Sequence, residues 1–329
     1  MRESKRASIA STGIALPERR LTNHQLEQLV DTTDEWIKTR TGISERRILE
    51  EDKAASDLAI ESAREALKGA GLSPAELDLI ILATATPDYQ VPSTACLVQS
   101  RLGADHAAAF DLNAGCSGFV YGMVIGQQFI ENGLYRNVLV IGVDILSRII
   151  NWEDRSTCVL FGDGAGAVVM QPSSEKRGVM STKLISDGDG FEHLMVPAGG
   201  SRNPATIDTV KERKHFVHMN GNEVFKFAVR AVIDVTNHLL QEANLKAGDL
   251  DYLFLHQANL RIIESARKKL GFEITQIPVN IHRFGNMSAA SIPVTLHEVV
   301  MAGDLKKGDL IALVAFGAGL TCGGVLMEW

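Results

Sequence analysis

Two kinds of apolar patterning alternate along the chain. Short unbroken runs of aliphatic and β-branched residues stand at Leu79 to Ala83, Val138 to Val143, Val159 to Phe161, Tyr252 to Leu255 and Leu310 to Phe316. Runs without polar alternation predict strands covered on both faces. Between them, helical spacing of apolar positions predicts helices over Ser56 to Lys68, Gly118 to Asn132, Asn222 to Glu242 and Leu260 to Leu270. Ala7 to Leu16 reads as a first strand running into a turn at Pro17, and Ala107 to Leu112 as another strand. The alternation predicts the α/β class.

The pattern also repeats. Gly71 to Leu82 matches Asn244 to Leu255, each the end of a helix, a turn and a buried strand. Phe161-Gly-Asp-Gly164 matches Phe316-Gly-Ala-Gly319. The offsets are 173 and 155 residues, which suggests one duplicated unit rather than a short-period solenoid. The halves would meet near residue 175, in the polar, turn-rich segment Gln171 to Gly178, giving domains 1–175 and 176–329. From Ser186 to Asn220 the periodicity breaks down, and so long a loop is either functional and mobile or a surface insertion.

Composition narrows the function. Hydrophobic residues are 45% and charged residues 22% of 329, which excludes disorder and coiled coil. The apolar stretch Leu310 to Leu320 is too short and Gly-rich to span a bilayer, so no membrane role is expected. A net charge of -7 argues against nucleic-acid binding through a broad basic surface. Arg2, Lys5 and Arg6 precede a stretch too polar for a signal peptide, and Cys96, Cys116, Cys158 and Cys322 form no C-x-x-C pair. These features predict a cytoplasmic protein without a zinc site. Asp163 and Asp187 to Asp189 read as solvated loop acids, so no metal is expected.

Cys116 lies in Asp111-Leu-Asn-Ala-Gly-Cys-Ser-Gly-Phe119, between a predicted strand and a predicted helix. A helix N-terminus favours a thiolate, and its exposed N–H groups can hold an oxyanion. His256 ends a predicted buried strand, where α/β proteins place reactive groups. Asn286 follows a glycine and precedes small residues. Cysteine, histidine and asparagine admit two chemistries. In a hydrolase the histidine deprotonates the cysteine and the asparagine orients the histidine. In a condensing enzyme the cysteine carries an acyl group, while a neutral histidine and the amide donate to a thioester oxygen. The turn Phe316 to Thr321 can supply one more N–H to an oxyanion.

Seven motifs in one order then give a resemblance along nearly the whole chain. They are Asp34 to Gly42, Asn113 to Gly118, Asp154-Arg-Ser-Thr157 with Phe161 to Gly166, Gly221 to Phe225, His256 to Arg261, Gly285 to Ser291 and Ala315 to Gly319. The sequence resembles β-ketoacyl-acyl carrier protein synthase III, of the thiolase superfamily. The resemblance implies a duplicated five-layer α-β-α-β-α fold, a homodimer and no cofactor, acyl-CoA being a substrate. It implies that Cys116 takes an acyl group from a short acyl-CoA. Malonyl-acyl carrier protein then loses CO2, and its enolate attacks the acyl-Cys116 thioester, which initiates type II fatty-acid synthesis. His256 and Asn286 would hold the enolate oxygen, and the N–H groups of Cys116 and Ala318 the acyl oxyanion.

By the same resemblance Trp36 and Arg155 would stack on the adenine of CoA, Arg40 would meet its phosphates, and Asn222 and Asn259 would line the pantetheine tunnel. A cation over an indole suits the first of these roles. Lys226, Arg261, Lys268 and Lys269 would form a patch for the acidic carrier protein. Seven residues of helix turn about 700°, so Arg261 and Lys268 share a face. The residue before Pro92 reaches the partner subunit's acyl pocket in the family. Val91 stands there in place of a bulky aromatic, which predicts tolerance of primers longer than acetyl. The competing readings are a related CoA-dependent condensing enzyme of secondary metabolism and a Cys-His-Asn thioesterase or peptidase.

Overall fold

The unbroken apolar runs become interior strands of two sheets. The computed structural model describes residues 6–173, 175 and 177–329. The first sheet contains β1 (Ala7–Ala15), β2 (Leu79–Ala83), β3 (Ala108–Leu112), β4 (Val138–Ile145) and β5 (Asp163–Pro172), in the order β1-β5-β4-β2-β3. The second contains β6 (Gly178–Ser186), β7 (Tyr252–Leu255), β8 (Leu310–Gly317) and β9 (Thr321–Glu328), in the order β7-β8-β9-β6. The directions correspond: β2 runs parallel to β4 as β7 does to β8, and the next two neighbours are antiparallel in both sheets. Among the described residues β3 has no counterpart strand beside β7.

Helices complete the layers. α1 (Asp34–Thr41) packs through Ile37 beside Ile43 and Leu160, α2 (Ala55–Ala70) covers the outer face of the first sheet, and α3 (Gly118–Glu131) lies between the sheets. α4 (Gly221–Glu242) and α5 (Leu260–Leu270) cover the outer face of the second sheet, and α6 (Ser291–Ala302) joins α3 in the middle layer. The result is the duplicated α-β-α-β-α architecture.

Strand alternation divides the core. Ile81, Val140, Leu313 and Val325 face the central helices and pack with Phe119, Met123, Ile292 and Leu296. Ile80 and Leu139 turn outward to α2, and Leu253 and Val314 outward to α4 and α5. Each fully buried aliphatic side chain contributes about 2 kcal/mol, so the register is strongly fixed. α3 lies unusually close to β2 and β4. A Cβ on Gly118 would fall 3.1 Å from Ala83 Cβ, and one on Gly122 would fall 2.9 Å from Val140 Cγ1. That seating sets the height at which the segment before the helix enters the core.

Three expectations need correction. Val159 to Phe161 is not a strand but a turn with one bridge, Phe161 to Asn286; Leu160 and Phe161 face the site described below, and Val159 is buried in an apolar cluster beside it. The second repeat pair is not equivalent in structure: Phe316 lies within β8, whereas Phe161 precedes β5. The segment 186–220 is not a featureless loop. It contains a 3-10 turn, Gly188–His193, a short helix, Ile207–Lys211, and a two-residue pairing of Leu194–Met195 with His218–Met219. Gln171 to Gly178, the predicted junction, lies partly outside the described residues, as do Arg2 and Lys5. No described helix is long and apolar enough to cross a membrane.

Candidate active site

Cys116 sits between β3 and α3, two residues ahead of the first turn of the helix. Hydroxyls tie its loop to the turn between β8 and β9. Ser117 Oγ donates to Thr321 Oγ1 at 2.8 Å, and Thr321 Oγ1 donates to the Ala114 carbonyl at 2.9 Å. The contact is close. A Cβ on Gly115, which has φ +53°, would lie 2.8 Å from Ala318 N, and one on Gly317 would lie 2.5 Å from Cys116 N. The backbone around Cys116 and that around Ala318 are thus packed directly against each other.

The thiol is not a resting thiolate. Burial pushes the Cys116 pKa up to about 12, with the Asp144 carboxylate adding to the rise. A helix terminus is worth at most about 2 kcal/mol, or about 1.5 pH units, which is too little to cancel desolvation here. The expectation of a dipole-stabilised thiolate is therefore corrected: in the free protein burial outweighs the helix terminus.

His256 follows β7, and its N–H donates to the Val314 carbonyl at 3.0 Å. Its ring is 2% exposed, stands edge-on to Phe316 at 5.1 Å, and has Nδ1 2.7 Å from Ser291 Oγ. Burial with no charged partner pushes its pKa down to about 3, so the imidazole is neutral. The Ser291 hydroxyl has one proton and a second acceptor, the Ser288 carbonyl, at 2.9 Å. When Ser291 donates to Nδ1, the ring proton sits on Nε2 and is available to a ligand.

Asn286 is held on both sides of its peptide. Its N–H donates to the Leu160 carbonyl, and its own carbonyl accepts from Gly162 N–H, both at 2.9 Å. Its Oδ1 accepts the Ser288 N–H at 2.8 Å, which fixes the amide orientation and leaves the Nδ2 donors without a partner among the described residues. The Leu160 side of this contact is anchored by Arg46, a fully buried guanidinium that donates to the Val159 carbonyl at 2.7 Å and to Asn23 Oδ1 at 2.8 Å. Burial lowers the Arg46 pKa to about 10.

Two cavities meet at Cys116. One, of about 260 Å³, is walled by Leu146, Ile149, Phe161, Leu194 and Val217. The other, of about 120 Å³, is lined by His256, Asn259, Asn286, Phe225 and Phe316. The geometry separates the two chemistries read from the sequence. Ser291, not Asn286, holds His256 Nδ1, so the arrangement lacks the orienting contact of a Cys-His-Asn hydrolase. A neutral histidine and a free amide beside a thiol suit donation to an oxygen.

The other predicted positions divide. Arg155 Cζ lies 4.9 Å over the Trp36 ring and Arg40 Cζ 5.9 Å from it, so these three are together. A base between Trp36 and Arg155 needs two contact distances, about 7 Å, so the guanidinium has to move outward by about 2 Å. Asn259 lines the smaller cavity, but its amide also caps α5 at Arg261 N, 2.8 Å, and donates to the Arg40 carbonyl at 3.1 Å. Asn222 is not brought to Cys116; it lines an open depression with Glu192 and His218. Val91 is 86% exposed and lines neither cavity at Cys116 of its own chain. Arg261, Lys268 and Lys269 are exposed on α5, while Lys226 on α4 pairs with Glu223 at 2.7 Å. Among the described residues no group of three or more His, Cys, Asp or Glu side chains could hold a metal ion.

Sequence reasoning passed over Asp144, Ser288, Ser291 and Arg46. An acid closing the apolar run that starts at Val138 was a signal for the first; nothing distinguished the others.

A five-layer duplicated fold of this kind, with a cysteine at the junction of its halves, belongs to the thiolase-like condensing enzymes, and the chain is an acyltransferase of that class. Comparison with known proteins narrows the class. Residues 110–188 match the family described as 3-Oxoacyl-[acyl-carrier-protein (ACP)] synthase III, and residues 240–329 match its C-terminal part. The chain is 55% identical to a Beta-ketoacyl-[acyl-carrier-protein] synthase III of Symbiobacterium thermophilum, over 98% of this chain and 97% of the relative. It is 53% identical to one of Caldanaerobacter subterraneus, over 100% and 99%. The crystal structure of 3-oxoacyl-[acyl-carrier-protein] synthase III from Aquifex aeolicus superposes with a TM-score of 0.91 at 47% identity, covering 98% of this chain and 100% of that one. The chain belongs to the β-ketoacyl-[acyl-carrier-protein] synthase III family.

Proposed function

We propose that this protein condenses a short acyl-CoA with malonyl-acyl carrier protein, with loss of CO2, to give a β-ketoacyl-acyl carrier protein at the start of type II fatty-acid synthesis. Cys116 attacks the acyl-CoA carbonyl and CoA leaves. The N–H groups of Cys116 and Ala318 stabilise the oxyanion of that step. Malonyl-acyl carrier protein follows along the same tunnel. Its thioester oxygen accepts hydrogen bonds from His256 Nε2–H and Asn286 Nδ2–H, which stabilises the enolate left by decarboxylation. The enolate carbon attacks the acyl-Cys116 thioester and expels the cysteine. The observation that carries this reading is the pairing at one cavity of a neutral His256, whose Nδ1 is engaged by Ser291 Oγ, with an Asn286 amide whose oxygen is engaged by the Ser288 N–H.

The apolar cavity beside Leu146 and Phe161 takes the primer chain, and the cavity beside Asn259 takes the pantetheine arm. Trp36, Arg155 and Arg40 hold the CoA nucleotide at the mouth, with Asn222 on the approach. Lys226, Arg261, Lys268 and Lys269 steer the acidic carrier protein. The halves 1–175 and 176–329 supply Cys116 on one side and His256 with Asn286 on the other. The protein works in the cytoplasm as a homodimer without a cofactor. The exposed Tyr89 and Val91 and the open edge of β3 support a second copy, whose Val91 borders the acyl cavity.

Intact-mass analysis after mixing with acetyl-CoA tests this. One acetyl group appears on the wild type, is absent from Cys116→Ala, and is discharged by malonyl-acyl carrier protein. An acylated protein that only hydrolyses overturns the condensation.

A further inference from the structure

Arg46 is a buried cation to which the mechanism above gives no task. It stands at the centre of the short strand Glu45–Arg47, opposite Leu21 of the strand Arg20–Thr22, and is 0% exposed. Its guanidinium joins separate segments of the chain. Nη1 donates to the Leu21 carbonyl at 3.1 Å and to Asn23 Oδ1 at 2.8 Å, and Nη2 donates to the Val159 carbonyl at 2.7 Å. Asn23 is itself fixed. Its Nδ2 donates to the Ile43 carbonyl at 2.8 Å and to Asp34 Oδ1 at 3.0 Å, which leaves Oδ1 to face Arg46. All three acceptors of the guanidinium are neutral, and Nε has no partner among the described residues.

A buried cation without a carboxylate is unfavourable for stability, and an apolar side chain of similar volume would fill the space without that cost. What the guanidinium adds is a rigid, planar set of donors that can hold two segments at one distance. One segment is the strand Arg20–Thr22. The other is the turn 159–162, and Asn286 hangs from that turn. The Asn286 N–H donates to the Leu160 carbonyl and its carbonyl accepts from Gly162 N–H, both at 2.9 Å, and Phe161 and Asn286 form a bridge. The stem of Arg46 is wedged at the same place. A Cβ on Gly162, or one on Gly285, would lie 3.1 Å from Arg46 Cβ. Arg46 therefore touches both the turn that carries Asn286 and the residue before it. Cys116 and His256 are anchored elsewhere, the first through Ser117 and Thr321, the second through Ser291.

We infer that Arg46 is a positioning residue for Asn286: it sets where the turn 159–162 stands, and so where the Asn286 amide meets the thioester oxygen. Arg46 lines neither cavity at Cys116 and acts through Asn286. A change at Arg46 therefore separates the two half-reactions. Acylation of Cys116 draws on backbone donors and does not use the Asn286 amide. Decarboxylation of the malonyl thioester does.

The inference rests on the proposed role of Asn286. The test compares wild type, Arg46→Met, Asn286→Ala and the double variant in two measurements. One is acyl-enzyme formation at saturating acetyl-CoA, by quenched intact mass. The other is CO2 release from malonyl-acyl carrier protein without primer. Arg46→Met acylates close to the wild-type rate, which also reports that it is folded. Its decarboxylation falls about 100-fold, the loss expected when a reacting group is misplaced by about 1 Å. In the Asn286→Ala background the same substitution lowers decarboxylation no further, because the group it positions is gone. Should Arg46→Met not fold, Arg46→Lys, which keeps the charge and a single donor group, is read in its place with the same expectation. Three results overturn the inference: decarboxylation at the wild-type rate, equal slowing of both half-reactions, or an undiminished further loss in the Asn286→Ala background. If Asn286→Ala alone decarboxylates at the wild-type rate, the proposed role of Asn286 fails and the inference falls with it.

Discussion

The neutrality of His256 has a consequence for stability that is independent of catalysis. The ring is 2% exposed and has no carboxylate partner, and burial moves its pKa from 6.5 to about 3. Between those values the unfolded chain binds a proton that the folded chain refuses. Stability is therefore complete above pH 6.5 and falls as the pH drops toward 3. At pH 5 the deficit is about 1.5 pH units, or about 2 kcal/mol. His256→Gln removes the group in both states. The difference in unfolding free energy between wild type and variant, from urea titrations, should narrow by about 2 kcal/mol between about pH 7.5 and pH 5. Asp144 and Asp163, whose pKa values burial raises, act with the opposite sign in both proteins and cancel in the difference. A difference unchanged between the two pH values would mean that His256 titrates normally and does not serve as a neutral donor.

Three further perturbations bear on the site. Ser291→Ala removes the hydroxyl that holds His256 Nδ1; at about 1 kcal/mol for that bond, condensation slows about fivefold while acyl-enzyme formation changes less, as measured by single-turnover kinetics. Trp36→Ala removes the indole under Arg155, so the KM for acyl-CoA rises about tenfold, for a loss of about 1.4 kcal/mol, with malonyl decarboxylation unaffected. On the proposed dimer, in which Val91 borders the acyl cavity of a second copy, Val91→Phe shifts competition between acetyl-CoA and butyryl-CoA toward acetyl; an unchanged ratio shows that Val91 does not border the primer.

Much of this architecture is legible in the sequence where burial acts alone. Leu79 to Ala83 and Tyr252 to Leu255 are strands to the residue, because both faces of each are covered. Other strands are hidden by what they pack against. β5 begins Asp163-Gly-Ala-Gly-Ala167, which reads as a turn; Gly166 is required because a Cβ there would lie 2.8 Å from Pro293. β9 carries Gly323 and Gly324 for the same reason, against Tyr121 and Val235. β6 is an edge strand with Ser181, Thr182 and Lys183, so its pattern is polar. Val159 to Phe161 misleads in the other direction, since Leu160 and Phe161 wall a cavity instead of entering a sheet. At the site, Cys116, His256 and Asn286 stand out because few residue types can do their chemistry. Ser288 and Ser291 do not, because a hydroxyl acquires meaning only from its neighbours in space.

The register that sets Leu79 against Tyr252 also sets Ala83 against His256. The same strand end has therefore been put to two uses since the halves diverged. In the second half it presents an imidazole. In the first it presents a methyl group on which Gly118 rests, so that α3 can bring its cysteine down to meet that imidazole. The asymmetry is a division of labour between two copies of one inherited position. A histidine at position 83 would have no room beneath the helix, and an alanine at position 256 would take the imidazole out of the cavity at Cys116.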